Sequence, residues 1–122
     1  MANQILLTTG VLFGMLSVVF GAFGAHALKK TLNNEQLKSF EVAVKYQMYH
    51  AIVLLVLGLN PNEVKQSIYW CFTLGILLFS FSIYGLVLSD SKGKKLSFLG
   101  PITPIGGLLL ASGWGLLLIN YL

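Results

Sequence analysis

Residues 5–28 read ILLTTGVLFGMLSVVFGAFGAHAL and contain no charged side chain. A helix needs about 20 mainly apolar residues to cross a hydrocarbon core about 30 Å thick, and this stretch meets that requirement. Two further stretches, Ser67–Ser89 and Phe98–Leu122, are equally free of charge. The three stretches therefore predict three transmembrane helices.

The composition of the chain agrees with a membrane protein. Its 122 residues are 56% hydrophobic and 10% charged, whereas soluble domains carry about 25% charged residues. A small soluble domain keeps much of its surface in water, so we expect lipid to be the solvent for much of this chain. The 8 basic residues are all lysines and the net charge is +4. Because they lie beside the apolar stretches, they indicate topology or contacts with anionic lipid headgroups rather than nucleic acid.

The remaining predicted span, residues 40–59, is less apolar than the other three. Its polar and charged side chains include Glu41, Lys45, Gln47 and His50. A helix from Asn34 to Leu59 would be roughly 39 Å long, so its first turns should lie in the headgroup region or outside. Asn33 or Asn34 can cap this helix, and Gln36 is placed to complete a capping box.

Together these stretches predict an all-α membrane protein, a bundle of four transmembrane helices. The second helix is expected to start as an amphipathic interfacial segment. We expect a single domain over residues 1–122, with spans at approximately 5–28, 40–59, 67–89 and 98–122. Polar, turn-forming residues separate the spans at Lys29–Asn34, Asn60–Asn62 and Asp90–Lys95.

The end of the first span, Ala25-His26-Ala27, resembles the cleavage site of a secretory signal peptide. The preceding residues MANQ carry no positive charge, however, and the apolar stretch is longer than the usual run of about 7–15 residues. We therefore expect the first span to be retained as a membrane helix.

The positions of the lysines predict the orientation of the spans. After the first span come Lys29, Lys30, Lys38 and Lys45, and after the third span come Lys92, Lys94 and Lys95. The loop between the second and third spans contains only Lys65. The positive-inside rule then places the first and third loops in the cytoplasm and both termini outside.

Small side chains form a stripe along the first helix. On a helical wheel they fall within about 80° of one another. The members of this small-residue stripe are Gly10, Gly14, Ser17, Gly21 and Gly24. Small residues let two helix backbones approach closely in lipid. We expect the stripe to pack against another helix of the same chain, with a homodimer seam as the alternative.

Glycines also mark the last helix. Gly106, Gly113 and Asn120 repeat at intervals of seven, the spacing of a left-handed packing seam. The predicted packing residues of this helix are Gly106, Gly107 and Gly113. Pro101 and Pro104 suit the interface or the first turn of a helix. A broken helix that lines a transport site is the alternative interpretation of this stretch.

Polar side chains within the spans are the candidate functional residues. One face of the second helix presents Ser39, Ala43, Tyr46, Gln47 and His50, and a separate charged face presents Lys38, Glu41 and Lys45. We expect the charged face to meet water or headgroups. An unsatisfied polar group in lipid is expensive, so Gln47 and His50 need partners. Candidate partners share a seam of the third span: Tyr69, Thr73, Ser80 and Tyr84.

The sequence predicts neither a catalytic site nor a metal site. No HExxH motif accompanies the histidines, and Glu35 and Glu41 lie on a different face from His50. Asp90 lies in a loop remote in sequence from both histidines, so a Ser/His/Asp triad is not expected. Cys71 is the single cysteine, and a buried apolar role suits it. We therefore expect a protein that is not an enzyme and has no cofactor.

A proton relay through His26, Tyr46 and His50 is the main functional alternative. Ionisable residues inside membrane spans are functional candidates by default. Against this hypothesis, the same side chains can serve as hydrogen-bonded packing groups between helices. We favour the packing role, with His26 as a boundary residue bonded to a neighbouring helix.

Three motifs resemble a known family. GAFGAHAL (21–28), YQMYH (46–50) and TPIGG (103–107) are similar to the domain-of-unknown-function 423 family of small bacterial inner-membrane proteins. The resemblance covers essentially the whole chain and implies a four-span plasma-membrane protein with no established activity, cofactor or substrate. The matching signature positions are Gly21, Gly24, His26, Tyr46, Gln47, His50, Pro104 and Gly107.

The chain departs from this family pattern at FSFSIY (79–84), where Phe81 replaces a glycine of the more usual FSGSLY. A close helix contact is therefore less expected at this position. Some family members also have a basic C-terminal tail, which implies cytoplasmic termini, opposite to the orientation that the lysines predict.

Two functions follow as expectations. The first is a non-enzymatic, multi-pass protein of the bacterial plasma membrane that supports the envelope through membrane lipids, a homo-oligomer or other membrane proteins. The alternative is a small transport or proton-conducting unit that uses His26, Tyr46, Gln47 and His50.

Overall fold

The computed structural model describes residues 3–122, and these residues form helices joined by short turns. The helices are α1 (Asn3–Ala25), α2 (Asn34–Leu59), α3 (Gln66–Ile76), α4 (Ser82–Ser91) and α5 (Ile102–Tyr121). A π-helical segment, Leu77–Phe81, joins α3 to α4, so Gln66–Ser91 forms one continuous span. Short 3₁₀ turns lie at Leu28–Lys30 and Ser97–Leu99. Four helical units are long and apolar enough to cross a membrane, which confirms the predicted all-α fold class.

The ends of the first two helices follow from local chemistry. α1 ends at Ala25, before the predicted boundary at Leu28, and the chain turns into a 3₁₀ segment that carries Lys29 and Lys30. α2 begins at Asn34 with the expected capping box. The Asn33 side chain accepts from the Gln36 backbone N–H at 2.8 Å, and the Gln36 side chain accepts from the Asn33 N–H at 3.0 Å. This box fixes the start of α2.

α2 and the third span form the centre of the bundle. α1 packs mainly on α2, and α5 packs mainly on α3 and the π-helical segment. Successive spans are antiparallel, because Phe40 contacts Tyr84 at one end of α2 while His50 contacts Phe72 farther along it. Phe13 of α1 also meets Phe81 edge to face, with ring centroids 6.2 Å apart. The four spans therefore pack as a rhombus in which α1 and α5 lie at opposite corners.

The small-residue stripe of α1 faces α2. A Cβ on Gly10 would lie 2.9 Å from the Ala51 carbonyl oxygen, and one on Gly24 would lie 2.9 Å from the Phe40 ring. Gly14 and Gly21 have ordinary contact distances to the same helix, at 4.0 and 3.5 Å. The stripe therefore forms an intrachain seam, in which the absence of side chains matters most at its two ends.

Ser17 of the stripe and Gly58 of α2 complete this seam. The Ser17 hydroxyl donates to the Val44 carbonyl at 3.3 Å. Gly58 of α2 lies against Leu7, where a Cβ would come within 2.8 Å of the leucine side chain. Gly58 was not among the predicted packing residues, because it is isolated on α2 and forms no periodic pattern there.

A second seam joins α5 to the third span. Gly113 lies against the Phe72 ring, and Gly75 lies against Leu110. Gly106 faces the backbone of Leu78 and Phe79, so that any Cβ there would collide with main-chain atoms. Gly107 borders this contact, with its Cβ position 3.6 Å from the Phe79 ring. Small residues thus allow both seams to close, as expected where packing rather than water drives helix association.

The predicted heptad seam does not reach Asn120, which is exposed. The antiparallel contact between residues 72 and 113 puts residue 120 level with the start of α3, so α5 extends beyond its partner. Pro101 directly precedes α5 and Pro104 lies in its first turn, where a missing N–H is tolerated. The α5 helix then runs unbroken from Ile102 to Tyr121.

The π-helical segment was not predicted from the sequence, which indicated one regular helix over residues 67–89. Its extra residue per turn leaves backbone carbonyl groups free to accept hydrogen bonds from side chains. The Ser82 hydroxyl donates to the Phe79 carbonyl at 2.9 Å and is also 2.6 Å from the Thr103 hydroxyl of α5. Phe81 fills space toward α1, while close contact with α5 is made by the neighbouring backbone at Leu78 and Phe79.

Both longer connections lie at one end of the bundle, and we name it the loop end (residues 26–33 and 92–101). It carries Lys29, Lys30, Lys92, Lys94 and Lys95. At the opposite end, the Asn3 amide donates to the Asn60 carbonyl at 3.0 Å, and Lys65 precedes α3. The distribution of lysines predicts a cytoplasmic loop end.

Adding one methyl group at Gly106 should destabilise the bundle. Gly106→Ala would force the α5 backbone away from Leu78 and Phe79, and we expect it to lower the free energy of unfolding by about 1–3 kcal/mol. Unfolding in detergent, followed by circular dichroism, measures the change. The matched control is Gly115→Ala on the same helix, whose Cβ would meet nothing within 4 Å. Equal stabilities of the two variants would contradict the close contact.

The orientation can be measured by cysteine labelling in a Cys71→Ala background. Asn62→Cys lies in the loop between α2 and α3, and Ser97→Cys lies at the loop end. If the loop end is cytoplasmic, a membrane-impermeant maleimide will label Asn62→Cys in intact cells and will label Ser97→Cys only after permeabilisation. The reverse pattern would place the termini in the cytoplasm.

Candidate functional site

Gln47 ties three helices together. Its side chain on α2 is fully buried, at 0% exposure. Its Nε2 donates to the Phe13 carbonyl of α1 at 2.9 Å, and its Oε1 accepts from the Tyr84 hydroxyl of α4 at 2.6 Å. Both ends of the amide are therefore satisfied by protein, as a polar group at membrane depth requires.

His50 lies one turn farther along α2 and links it to α5. Its Nδ1 is 2.7 Å from the Tyr46 carbonyl oxygen, and its Nε2 accepts from the Trp114 indole N–H at 3.1 Å. A carbonyl can only accept and an indole N–H can only donate. These two bonds together fit the neutral imidazole with its proton on Nδ1. A doubly protonated ring would lose the bond to Trp114.

We name Gln47, His50, Tyr84 and Trp114 the central cluster. Tyr46 contributes to it mainly through its backbone carbonyl. Its side chain is 42% exposed and lies against Phe79 of the π-helical segment, with ring centroids 4.9 Å apart. Its ring is also 6.1 Å from that of His50. The residues of the predicted face of α2 therefore do not share one environment. Gln47 and His50 point into the bundle, whereas Tyr46 lies on the outer side of the bundle.

His26 does not join this cluster. It follows the end of α1, is exposed, and borders a shallow apolar groove with Val18 and Phe23. The predicted bond of His26 to a neighbouring helix was wrong, because α1 ends at Ala25 and the exposed ring makes no hydrogen bond to another helix within residues 3–122. The level of His50 is marked by the contact between Gly14 and Ala51. From Gly14 to Ala25 the helix rises by roughly 16 Å. His26, Tyr46 and His50 therefore do not form a contiguous relay in this structure.

The predicted polar seam of the third span meets other helices at three of its positions. The Ser80 hydroxyl donates to the Ala43 carbonyl at 2.7 Å, and Tyr84 binds Gln47. The Tyr69 hydroxyl is 2.8 Å from the Thr9 hydroxyl of α1. Thr73 differs, because its buried Oγ1 has no hydrogen-bond partner among residues 3–122.

Thr9 and Trp114 were not predicted as partners of these polar groups. Thr9 lies within a charge-free span and carries no periodic polar signal. Trp114 follows Gly113 on the contact face of α5, and its indole N–H is a donor that a span interior must satisfy. That requirement is the signal that could have identified it.

Within residues 3–122, no group of three or more potential metal ligands lies together. Cys71 is a free, partly buried thiol on α3. The central cluster of Gln47, His50, Tyr84 and Trp114 thus consists of neutral side chains whose hydrogen bonds join helices.

The helices and their central cluster define a polytopic α-helical membrane protein. The chain belongs to the protein family of unknown function DUF423, whose sequence model matches residues 20–107. This assignment confirms the resemblance that the three sequence motifs indicated.

Proteins similar over nearly their whole length carry the description UPF0382 membrane protein. One from Staphylococcus haemolyticus is 38% identical over 120 residues, covering 96% of this chain and 94% of the relative. One from Staphylococcus aureus is 40% identical over 119 residues, covering 95% and 93%. One from Schizosaccharomyces pombe is 39% identical over 112 residues, covering 88% and 93%. No solved structure matches the chain.

The bond between Gln47 and Tyr84 can be tested by a double-mutant cycle. Gln47→Leu leaves the Tyr84 hydroxyl buried without its acceptor, and we expect a loss of about 1–3 kcal/mol in unfolding free energy. Combining it with Tyr84→Phe should reveal a coupling of about 0.6 kcal/mol, the average measured for hydrogen bonds between membrane helices, and of no more than about 1.7 kcal/mol, the largest value measured.

Unfolding in detergent gives the four stabilities of this cycle. Tyr49→Phe is the control, because Tyr49 lies on the same helix but is 54% exposed. It should change the unfolding free energy by no more than about 0.5 kcal/mol. Additive effects of the two core substitutions would show that the bond does not stabilise the bundle.

Proposed function

We propose that this protein is a non-enzymatic, non-conducting structural component of the membrane that acts through lipid or protein partners. The observation that carries this proposal is that both ends of the Gln47 amide are hydrogen-bonded by protein partners on α1 and α4. A residue that binds a solute or relays protons must exchange partners. The amide of Gln47, at 0% exposure, is instead held at both ends.

The geometry of His50 supports the same proposal. Both ring nitrogens are engaged, one by a backbone carbonyl and one by Trp114. Taking up a second proton would break the bond to the indole and place a charge between helices, where unpaired charge is strongly disfavoured. The ring therefore serves best as a neutral link between α2 and α5.

We place this role in the bacterial plasma membrane. The staphylococcal relatives support this location, since they are described as membrane proteins of bacteria. The relative in Schizosaccharomyces pombe extends the family to a eukaryotic membrane. Its partners would be membrane lipids, a second copy of the chain or other membrane proteins.

A flux assay separates this role from transport or proton conduction. In liposomes with an internal pH-sensitive dye, vesicles with the protein should hold an imposed pH gradient as long as protein-free vesicles do. His50→Ala should leave this rate unchanged. A protonophore added at the end confirms that the gradient was intact. Rapid proton entry that His50→Ala abolishes would favour a proton-conducting unit and overturn the proposal.

A further inference from the structure

A cleft of about 530 Å³ opens at the loop end between the start of α2, the end of α4 and the start of α5. Its volume lies within the range of about 300–1,000 Å³ that is usual for small-molecule sites. The cleft is separate from the buried cluster around Gln47 and His50. Of the candidate residues from the sequence, Ser39 and Pro104 line it, whereas His26, Tyr46, Gln47 and His50 do not.

The mouth of the cleft carries both signs of charge. Glu35 lies in the first turn of α2, Asp90 in the last turn of α4, and Lys95 in the connection to α5. All three residues are exposed. The Gln36 side chain donates to Asp90 Oδ2 at 3.0 Å and so holds this carboxylate in place. Two carboxylates and one ammonium group thus line the same cleft.

The deeper wall of the cleft is apolar. Val42 of α2 faces Ile83, Leu86 and Val87 of α4 across it. Val42 lies about 10 Å farther along the helix axis than Glu35. Charged groups therefore lie at the depth of the lipid headgroups, and aliphatic groups lie at the depth where acyl chains begin.

We propose that this cleft binds one phospholipid with a primary ammonium headgroup, such as phosphatidylethanolamine. The lipid ammonium donates to the carboxylates of Asp90 and Glu35, and the lipid phosphate pairs with Lys95. The first methylenes of one acyl chain lie on the apolar wall. The charges match in sign, because a zwitterionic headgroup carries one ammonium group and one phosphate.

Charge complementarity favours this lipid over two other abundant types. Phosphatidylglycerol has a phosphate but no cation, so it would leave two carboxylates next to its own negative charge. Phosphatidylcholine has a cation but no N–H, so it cannot donate a hydrogen bond to a carboxylate. A primary ammonium offers three donors, and charge-assisted hydrogen bonds are the stronger kind.

This inference names a lipid partner for the structural role proposed above and rests on that role. It is measured by binding, however, whereas the structural role is tested by flux. A protein that conducts protons can still hold this lipid, and a tight protein can fail to hold it, so the two results are distinguishable.

Native mass spectrometry of the full-length chain tests the inference. The protein is released from bilayers containing phosphatidylethanolamine, phosphatidylcholine and phosphatidylglycerol in equal amounts with identical acyl chains. We expect one bound phosphatidylethanolamine, retained about three- to tenfold more often than either competitor. The double variant Glu35→Gln/Asp90→Asn should lose this preference. Lys95→Gln should lower the retention of all three lipids.

The matched control is Glu41→Gln, which removes an exposed carboxylate of α2 that does not line the cleft. It should keep the wild-type preference. The asparagine at position 90 still offers an oxygen to Gln36, and circular dichroism verifies that each variant keeps its helices. Equal retention of the three lipids, a preference for phosphatidylglycerol, or an unchanged preference in the double variant would each overturn the inference.

Discussion

In a lipid bilayer, a polar group at depth needs a partner within the protein, and this constraint governs the bundle, with the buried Thr73 hydroxyl as an exception among residues 3–122. Gln47 meets it most fully, because one amide joins the α1 backbone to the Tyr84 hydroxyl of α4. His50 then joins α2 to α5 through Trp114. Each of these bonds crosses a helix interface. The bonds that satisfy the polar groups therefore also fix the relative positions of the helices.

These hydrogen bonds require short distances between helices, which the small residues provide. Gly10 lets α1 approach α2 near Ala51, beside His50. Gly106 lets α5 approach the π-helical segment at Leu78 and Phe79. That segment also presents Ser80 to the Ala43 carbonyl of α2. At the interface of α1 with α2, the close contact at Gly10 accompanies the bond from Gln47 to the Phe13 carbonyl. At the interface of α5 with the third span, the close contact at Gly106 accompanies the 2.6 Å contact between the Thr103 and Ser82 hydroxyls.

The sequence predicted the features that depend on one helix at a time. Charge-free length identified the spans, and the pairing of Asn33 with Gln36 identified the start of α2. The wheel position of the α1 stripe indicated its packing face. The π-helical segment and the bond between His50 and Trp114 were not predicted, because both depend on how two spans align. Nothing in FSFSIY by itself signals an extra residue per turn, and the close contact of this segment with Gly106 depends on another helix.

The cleft at the loop end and the central cluster around His50 are polar regions at different depths in the bundle. The side chains between them indicate that the two regions do not share a function. Beyond the apolar wall of the cleft, Tyr46 of α2 packs on Phe79 of the π-helical segment. One turn deeper, the bond between Trp114 and His50 joins α2 to α5. A molecule in the cleft would have to separate the ring pair and then break that bond to reach His50. The ring contact and the hydrogen bond would both have to form again after the molecule had passed. The ring contact and the bond to Trp114 therefore separate the charged groups at the mouth of the cleft, Glu35, Asp90 and Lys95, from the hydrogen bonds that join the helices in the core.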